Sequence, residues 1–115
     1  MGFHFVHKAT EAEPGRLGQQ VAAHPAVLVE FAAADAPACR LEEPILSQVL
    51  RRYADRLTVL QADVESSPAD AEAYAVAAVP TFLLFVNGVE KMRRVGYQSM
   101  DDLTVALDEA LPPAD

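Results

Sequence analysis

Cys39 is the one cysteine of this 115-residue chain, and its position favours thiol chemistry. It follows the nearly apolar run Val27–Ala33 and lies about one helical turn into a segment that begins at Pro37, a residue typical of the first turn of a helix. The residue three positions before it, where a second thiol would complete a Cys-x-x-Cys dithiol, is Ala36. A dithiol closes its own disulfide when it releases a product, whereas a single thiol needs an external thiol. Every functional interpretation of the chain depends on this absence.

Length and composition indicate a single packed domain, residues 1–115, rather than a disordered or membrane protein. The hydrophobic share is 51%, and no apolar run approaches the roughly 20 residues of a membrane span. The formal net charge of −8 opposes binding to nucleic-acid phosphates and to anionic lipid. We therefore expect neither a nucleic-acid partner nor a membrane partner.

The N-terminal residues bear on the cellular location, and the histidines bear on metal binding. Met1–Phe5 lacks a basic segment followed by an apolar stretch, so we expect a reducing, cytoplasmic environment. His4 and His7 have His-x-x-His spacing, but on a predicted strand they point to opposite faces. No phosphate-binding loop or dinucleotide fingerprint is present. We expect no metal site and no cofactor.

Short strands alternate with helices along the chain. The strands are predicted at Phe3–Val6, Val27–Ala33, Leu57–Val64, Thr81–Val86 and Val89–Val95. The helices are predicted at Glu11–Ala23, from the turn at Pro37 through Tyr53, at Pro68–Val76, and from the cap Ser99 to the stop at Pro112-Pro113. This order predicts an α/β sandwich with helices on both faces of the sheet.

Three more detailed predictions rest on local patterns. Asn87-Gly88 between two apolar runs predicts a type I′ turn and an antiparallel hairpin. Pro44 predicts a kink in the second helix. Helical spacing predicts that the buried face of that helix contains Leu41, Ile45, Leu46, Val49, Leu50 and Tyr53.

Several of these motifs, in this order and spacing, resemble the thioredoxin family. The matching segments are the strand Val27–Phe31, Ala36–Cys39 in place of Cys-Gly-Pro-Cys, the kinked helix at Pro44–Leu46, the cis-proline loop Val79–Thr81, and the hairpin turn Asn87-Gly88 with Gly96 after its second strand. The resemblance implies the thioredoxin fold: a central mixed sheet with helices on both faces and a C-terminal antiparallel hairpin plus helix.

The chain departs from the family at the residues that carry its chemistry. Ala36 stands where the resemblance places the nucleophilic cysteine, and Ala32 and Asp35 stand where it places tryptophans. Glu30 matches the family's buried acid, and Gln61 matches the lysine near that acid. We expect ordinary dithiol reductase activity to be absent, so whether the protein is an enzyme stays open.

Cys39 has two interpretations, a reactive monothiol or a small core residue. Glu30 and Asp35 disfavour a thiolate, while alanine at position 36 opens a path to the sulfur. A mixed disulfide with glutathione or a client is the chemistry open to it. Glu30 is in turn either a proton carrier for that thiol or a structural residue, and its burial would be costly unless it is paired or protonated.

The resemblance also implies a peptide-binding groove beside the motif, in which the backbone of Val79, before cis-Pro80, pairs with an extended client segment. We call this candidate the docking surface, and it consists of Ala36, Pro37, Ala38, Val79, Pro80, Gly96 and Tyr97. The leading hypothesis is that the protein binds partner or client polypeptides here, in a chaperone or assembly role. The alternative is a monothiol thiol-disulfide oxidoreductase that acts through Cys39, with an external resolving thiol, in redox homeostasis.

Overall fold

A computed structural model describes residues 2–113, whose strands form one mixed sheet in the order β1-β3-β2-β4-β5. The strands are β1 (Thr10–Glu11), β2 (Ala26–Ala32), β3 (Thr58–Asp63), β4 (Thr81–Val86) and β5 (Val89–Val95). The helices are α1 (Leu17–Ala22), α2 (Pro37–Arg52), α3 (Pro68–Ala73) and α4 (Met100–Ala110). β2 is parallel to β3 and antiparallel to β4, so the predicted mixed sheet is confirmed. Within residues 2–113, no helix has the length and apolar character needed to cross a membrane.

β2 lies at the centre of the sheet, and its residues are buried along its whole length. Alternate side chains of a strand point to opposite faces. Leu28 accordingly packs in a cluster with residues of α2 and α4, whereas Val29 and Phe31 pack in a second cluster with residues of α1 and α3. The helices therefore cover both faces, as the apolar run Val27–Ala33 predicts.

The C-terminal hairpin and helix are confirmed, together with the predicted turn and the predicted helix cap. Asn87 and Gly88 have φ values of 51° and 80°, and a type I′ turn requires positive φ at both positions. The Ser99 side chain caps α4 by accepting a hydrogen bond from the N–H of Asp102 at 3.0 Å. These two motifs fix the position of everything after Thr81.

The buried face of α2 differs in part from the prediction. The buried positions of the helix are Cys39, Glu42, Leu46 and Val49, and they are followed by the buried Tyr53. Leu41 was predicted to be buried but is 66% exposed. The buried positions of α2 recur every three or four residues, and Glu42 rather than Leu41 falls in that series. Pro44 lies inside the helix as predicted.

Two predictions for the N-terminal region are wrong. Residues 3–6 form no strand; the N–H of Val6 donates to the side-chain Oε1 of Gln61 at 2.6 Å, and Thr10–Glu11 pairs with β3 instead. The prediction that His4 and His7 point to opposite faces of a strand is therefore wrong, because no strand forms there. The helix predicted at Glu11–Ala23 is only Leu17–Ala22, because Gly15 has a φ of +78° and turns the chain before it.

Candidate functional site

The sheet brings three chain segments to the same end of the molecule. Phe31, near the end of β2, pairs with Thr81 at the start of the antiparallel β4, and Thr81 pairs with Val95 at the end of β5. Three segments therefore lie close together at this end of the sheet. They are the segment that leads to α2, the Val79–Pro80 loop and the residues after β5. This end of the sheet carries the predicted docking surface.

Backbone geometry links two parts of the docking surface directly. The Val79–Pro80 peptide bond is cis, and the N–H of Gly96 donates to the carbonyl of Pro80 at 2.7 Å. Gly96 has a φ of +90°, which L side chains rarely adopt, so glycine is favoured at this position. Ala36, Ala38, Val79 and Gly96 are half-buried, Pro37 and Tyr97 are exposed, and Pro80 is buried.

Cys39 is held in the first turn of α2, where it is 6% exposed. Burial raises the pKa of its thiol, a hydrogen bond with the Ala33 backbone lowers it in part, and the nearby carboxyls of Glu30, Glu42 and Asp35 raise it further. The net direction is upward from an ordinary value that already lies above neutral pH. This environment therefore favours the protonated thiol over the thiolate, which is the nucleophilic form.

A cavity of about 350 Å³ adjoins Cys39. Ala32–Ala34 forms part of its wall, and these small side chains leave space where the family resemblance places a tryptophan. The segment Gly2–His4 also lines it, and His4 Nδ1 lies 3.3 Å from Glu43 Oε1. No residue of the docking surface is among the residues that line this cavity. Access to Cys39 from the cavity is thus distinct from the docking surface.

Glu30 is 2% exposed and lies on β2. Its Oε1 accepts a hydrogen bond of 2.8 Å from Gln61 Nε2, which partly compensates for burial. Burial raises the pKa of Glu30 to about 7, with further contributions from the carboxyls of Glu42 and Glu43 and a lowering by the Gln61 hydrogen bond. Glu30 is thus both paired and largely protonated below neutral pH.

Glu42 is a buried acid that the sequence prediction missed. Its relative exposure is 0%, and burial raises its pKa to about 7 against a lowering by a backbone hydrogen bond from Gln98. The signal was present in the sequence, since Cys39, Glu42, Leu46 and Val49 follow helical spacing along one face. An acid at one position of an otherwise apolar helix face indicates a candidate buried acid.

Together these side chains form an acidic interior beside the motif. Glu30, Cys39 and Glu42 influence one another electrostatically, and no ion pair within residues 2–113 includes any of them. In the same part of the chain, His, Cys, Asp and Glu side chains form no group of three or more placed to hold a metal ion. In this arrangement burial raises the pKa values of both carboxyls to about 7 and raises the pKa of the thiol.

Comparison with known proteins agrees with this fold. The family model for thioredoxin matches residues 8–109. Thioredoxin from Acidithiobacillus ferridurans is 38% identical over 85 residues, covering 74% of this chain and 79% of that protein. Thioredoxin from Chlamydia trachomatis serovar D is 38% identical over 77 residues, covering 67% of this chain and 74% of that protein.

A solved structure shows the same architecture over almost the whole chain. A mutant thioredoxin from Halobacterium salinarum superposes with a TM-score of 0.84 at 24% identity, covering 99% of this chain and 100% of the other. The chain belongs to the thioredoxin family. It is a member with one cysteine, at position 39, and alanine at position 36.

Proposed function

We propose that this protein binds extended polypeptide segments through the docking surface, in a chaperone or assembly role. One observation carries the proposal: Val79 is half-buried and forms no backbone hydrogen bond within residues 2–113. A backbone N–H and C=O left unpaired at the surface can add an extended segment as a further strand. The Cys39 thiol is buried, and this proposal requires no thiol exchange.

Exposed apolar side chains next to Val79 support the same proposal. Tyr97 is 48% exposed, and Val95, at the end of β5, is 59% exposed. Tyrosine supplies a large amphipathic contact area and is often a dominant residue at binding surfaces. An extended client would thus find backbone partners at Val79 and an apolar contact at Tyr97.

Fluorescence anisotropy with labelled, reduced and carboxymethylated α-lactalbumin tests this function, because that client stays unfolded and has no free thiol. We expect Tyr97→Glu to weaken binding about tenfold, the size typical of a dominant contact residue. Val105→Glu is the matched control, since Val105 is also exposed but lies on α4, away from the docking surface. Cys39→Ser should bind normally. Equal effects of the two glutamate substitutions, or loss of binding in Cys39→Ser, would contradict the proposal.

The second candidate function is a monothiol oxidoreductase, which the cavity beside Cys39 favours because it gives a small thiol a route to the sulfur. The Cys39 thiolate would attack the glutathione sulfur of a client–glutathione mixed disulfide, forming a Cys39–glutathione disulfide and releasing the reduced client thiolate. A free glutathione thiolate would then attack the glutathione sulfur on Cys39, releasing the Cys39 thiolate and forming glutathione disulfide. Mass spectrometry after incubation with glutathione disulfide decides it: a glutathione adduct on the natural protein but not on Cys39→Ser supports this candidate.

The partners that follow are polypeptide clients for the first function and glutathione for the second. A cytoplasmic location fits both, since a single buried thiol persists in a reducing compartment. This location stays a prediction, as do the absence of nucleic-acid partners and the assignment of residues 1–115 to one domain.

A further inference from the structure

Glu42 connects α2 to the segment that carries Gly96 and Tyr97. Its Oε1 accepts a hydrogen bond of 2.8 Å from the backbone N–H of Gln98, 56 residues away. Gln98 Nε2 in turn donates to the carbonyl of Gly96 at 3.2 Å. The N–H of Gly96 donates to the carbonyl of Pro80 at 2.7 Å. A series of hydrogen bonds thus runs from a buried acid to the docking surface.

The other oxygen of Glu42 is unsatisfied. Oε2 is buried and has no hydrogen-bond partner within the described part of the chain. A buried carboxylate is stable only when it is paired or fully hydrogen-bonded, so this arrangement suits the neutral carboxyl much better than the ionised one.

Within residues 2–113, no cation forms an ion pair with Glu42. The titratable groups that interact with it electrostatically are Glu30 on β2 and Cys39 on α2, both acids. The first turn of α4, the helix that follows the Gln98 segment, carries the exposed Asp101 and Asp102. The segment between β5 and α4 contributes the uncharged Gln98. Burial consequently holds the pKa of Glu42 at about 7.

Arg40, two residues before Glu42 on α2, does not change this picture. It is exposed, and its guanidinium donates to the carbonyl of Ala34 at 3.3 Å. Within residues 2–113, the ion pairs include neither Arg40 nor Glu42. Burial outweighs the Gln98 hydrogen bond in setting the pKa of Glu42, so ionisation favours conformations in which the carboxylate reaches water.

We propose that Glu42 is a positioning residue that makes the docking surface sensitive to pH: the neutral carboxyl holds the Gln98–Gly96–Pro80 series closed, and its ionisation releases it. The effect on binding rests on the proposed function of the docking surface. The neutral fraction of a group with a pKa of about 7 falls about tenfold between pH 6 and pH 8, and apparent affinity scales with the competent fraction. We expect carboxymethylated α-lactalbumin to bind about tenfold more weakly at pH 8.

Amide hydrogen exchange measured by NMR tests the structural step without any client. Corrected for the intrinsic pH effect, protection of the Gln98 amide should fall about tenfold from pH 6 to pH 8 in the natural protein. Glu42→Gln, which stays neutral and keeps an acceptor oxygen, should show equal protection at both values. Glu30→Gln is the matched control and should retain the fall, since Glu30 is a second buried acid whose hydrogen bond comes from Gln61 and not from Gln98.

Two results would overturn this inference: constant protection in the natural protein, or the same fall in Glu42→Gln. Gln98→Ala provides a second check if Glu42→Gln folds poorly, because it removes only the bond to Gly96. It should weaken client binding at both pH values and leave the pH response of the residue 98 amide intact; loss of that response would also contradict the inference. A pH response at Gln98 without client binding at either pH would overturn the proposed function and leave the positioning role of Glu42 standing.

Discussion

Gln61 Nε2 donates a 2.8 Å hydrogen bond to Glu30 Oε1 across the register pair that these two residues form between β2 and β3. The other end of the same amide is also occupied, since Gln61 Oε1 accepts the N–H of Val6 at 2.6 Å. An amide hydrogen-bonds to the carboxyl without supplying charge, and Glu30 is buried with no ion-pair partner among residues 2–113. This is why its pKa lies at about 7.

The first prediction is that stability falls as pH rises from about 5 to 8. The pKa values of Glu30 and Glu42 rise from 4.5 to about 7 on folding, so the native state retains protons that the unfolded state has released. Each shift corresponds to roughly 3 kcal/mol of the free energy of unfolding, present at low pH and lost by pH 8.

Urea denaturation at a series of pH values measures this effect. The double variant Glu30→Gln/Glu42→Gln should show a much flatter pH dependence. Asp101→Asn/Asp102→Asn, which removes two exposed acids, should keep the slope of the natural protein. A natural protein that gains stability between pH 5 and pH 8 would show that the two acids are ionised in the folded state.

The second prediction concerns the buried face of α2. Leu46→Ala should lower the free energy of unfolding by about 2–5 kcal/mol, because Leu46 is fully buried in the cluster between the sheet and α2 and α4. Leu41→Ala, at a position 66% exposed on the same helix, should change it by about 0.5 kcal/mol or less. Chemical denaturation of both variants checks the pair, and similar losses would mean that α2 is rotated relative to the sheet.

The third prediction concerns the reactivity of Cys39. Alkylation by iodoacetamide should be slow at pH 7 and accelerate with rising pH, because burial raises the pKa of the thiol. Glu30→Gln removes one of the charges that raise this pKa, so the rate profile should move to lower pH. The urea-unfolded protein gives the reference rate. An unchanged profile in Glu30→Gln would show that the Glu30 charge does not reach the sulfur.

The fourth prediction concerns dithiol activity. With thioredoxin reductase and NADPH, the natural protein should reduce insulin at a negligible rate, since one thiol cannot close an internal disulfide. Ala36→Cys should gain activity because it restores the dithiol at the start of α2. Ala36→Ser is the control for a polar side chain at that position. Rapid reduction by the natural protein would refute this interpretation of the motif.

Elements with strong local signals could be predicted from the sequence. The continuous apolar run of β2 and the Asn87-Gly88 turn each allow one structure, and both are observed. The structure of the N-terminal region could not be predicted from local sequence, because its position depends on the contact between Val6 and Gln61, which are 55 residues apart. The helix expected from Glu11 begins late because a single positive-φ glycine, Gly15, overrides the helical pattern.

The site was predictable in its backbone and less so in its charges. The family resemblance implies the relation of Val79, Pro80 and Gly96, and the structure places them at one end of the sheet. Burial of Glu42 depends on the exact rotation of α2, which apolar neighbours such as Leu41 obscure. An acid among apolar residues of a helix can face either way, and only packing decides.

The two outer strands of the sheet, β1 and β5, limit edge-to-edge strand pairing with other chains. β1 has only two residues, and β5 carries four charged side chains, Glu90, Lys91, Arg93 and Arg94. Short or charged edges give an incoming strand little continuous backbone to pair with, which discourages lateral growth into fibrils. Under the proposed function, strand addition would then be confined to the short unpaired stretch at Val79. The same edges would disfavour aggregation of the protein itself while a client is bound there.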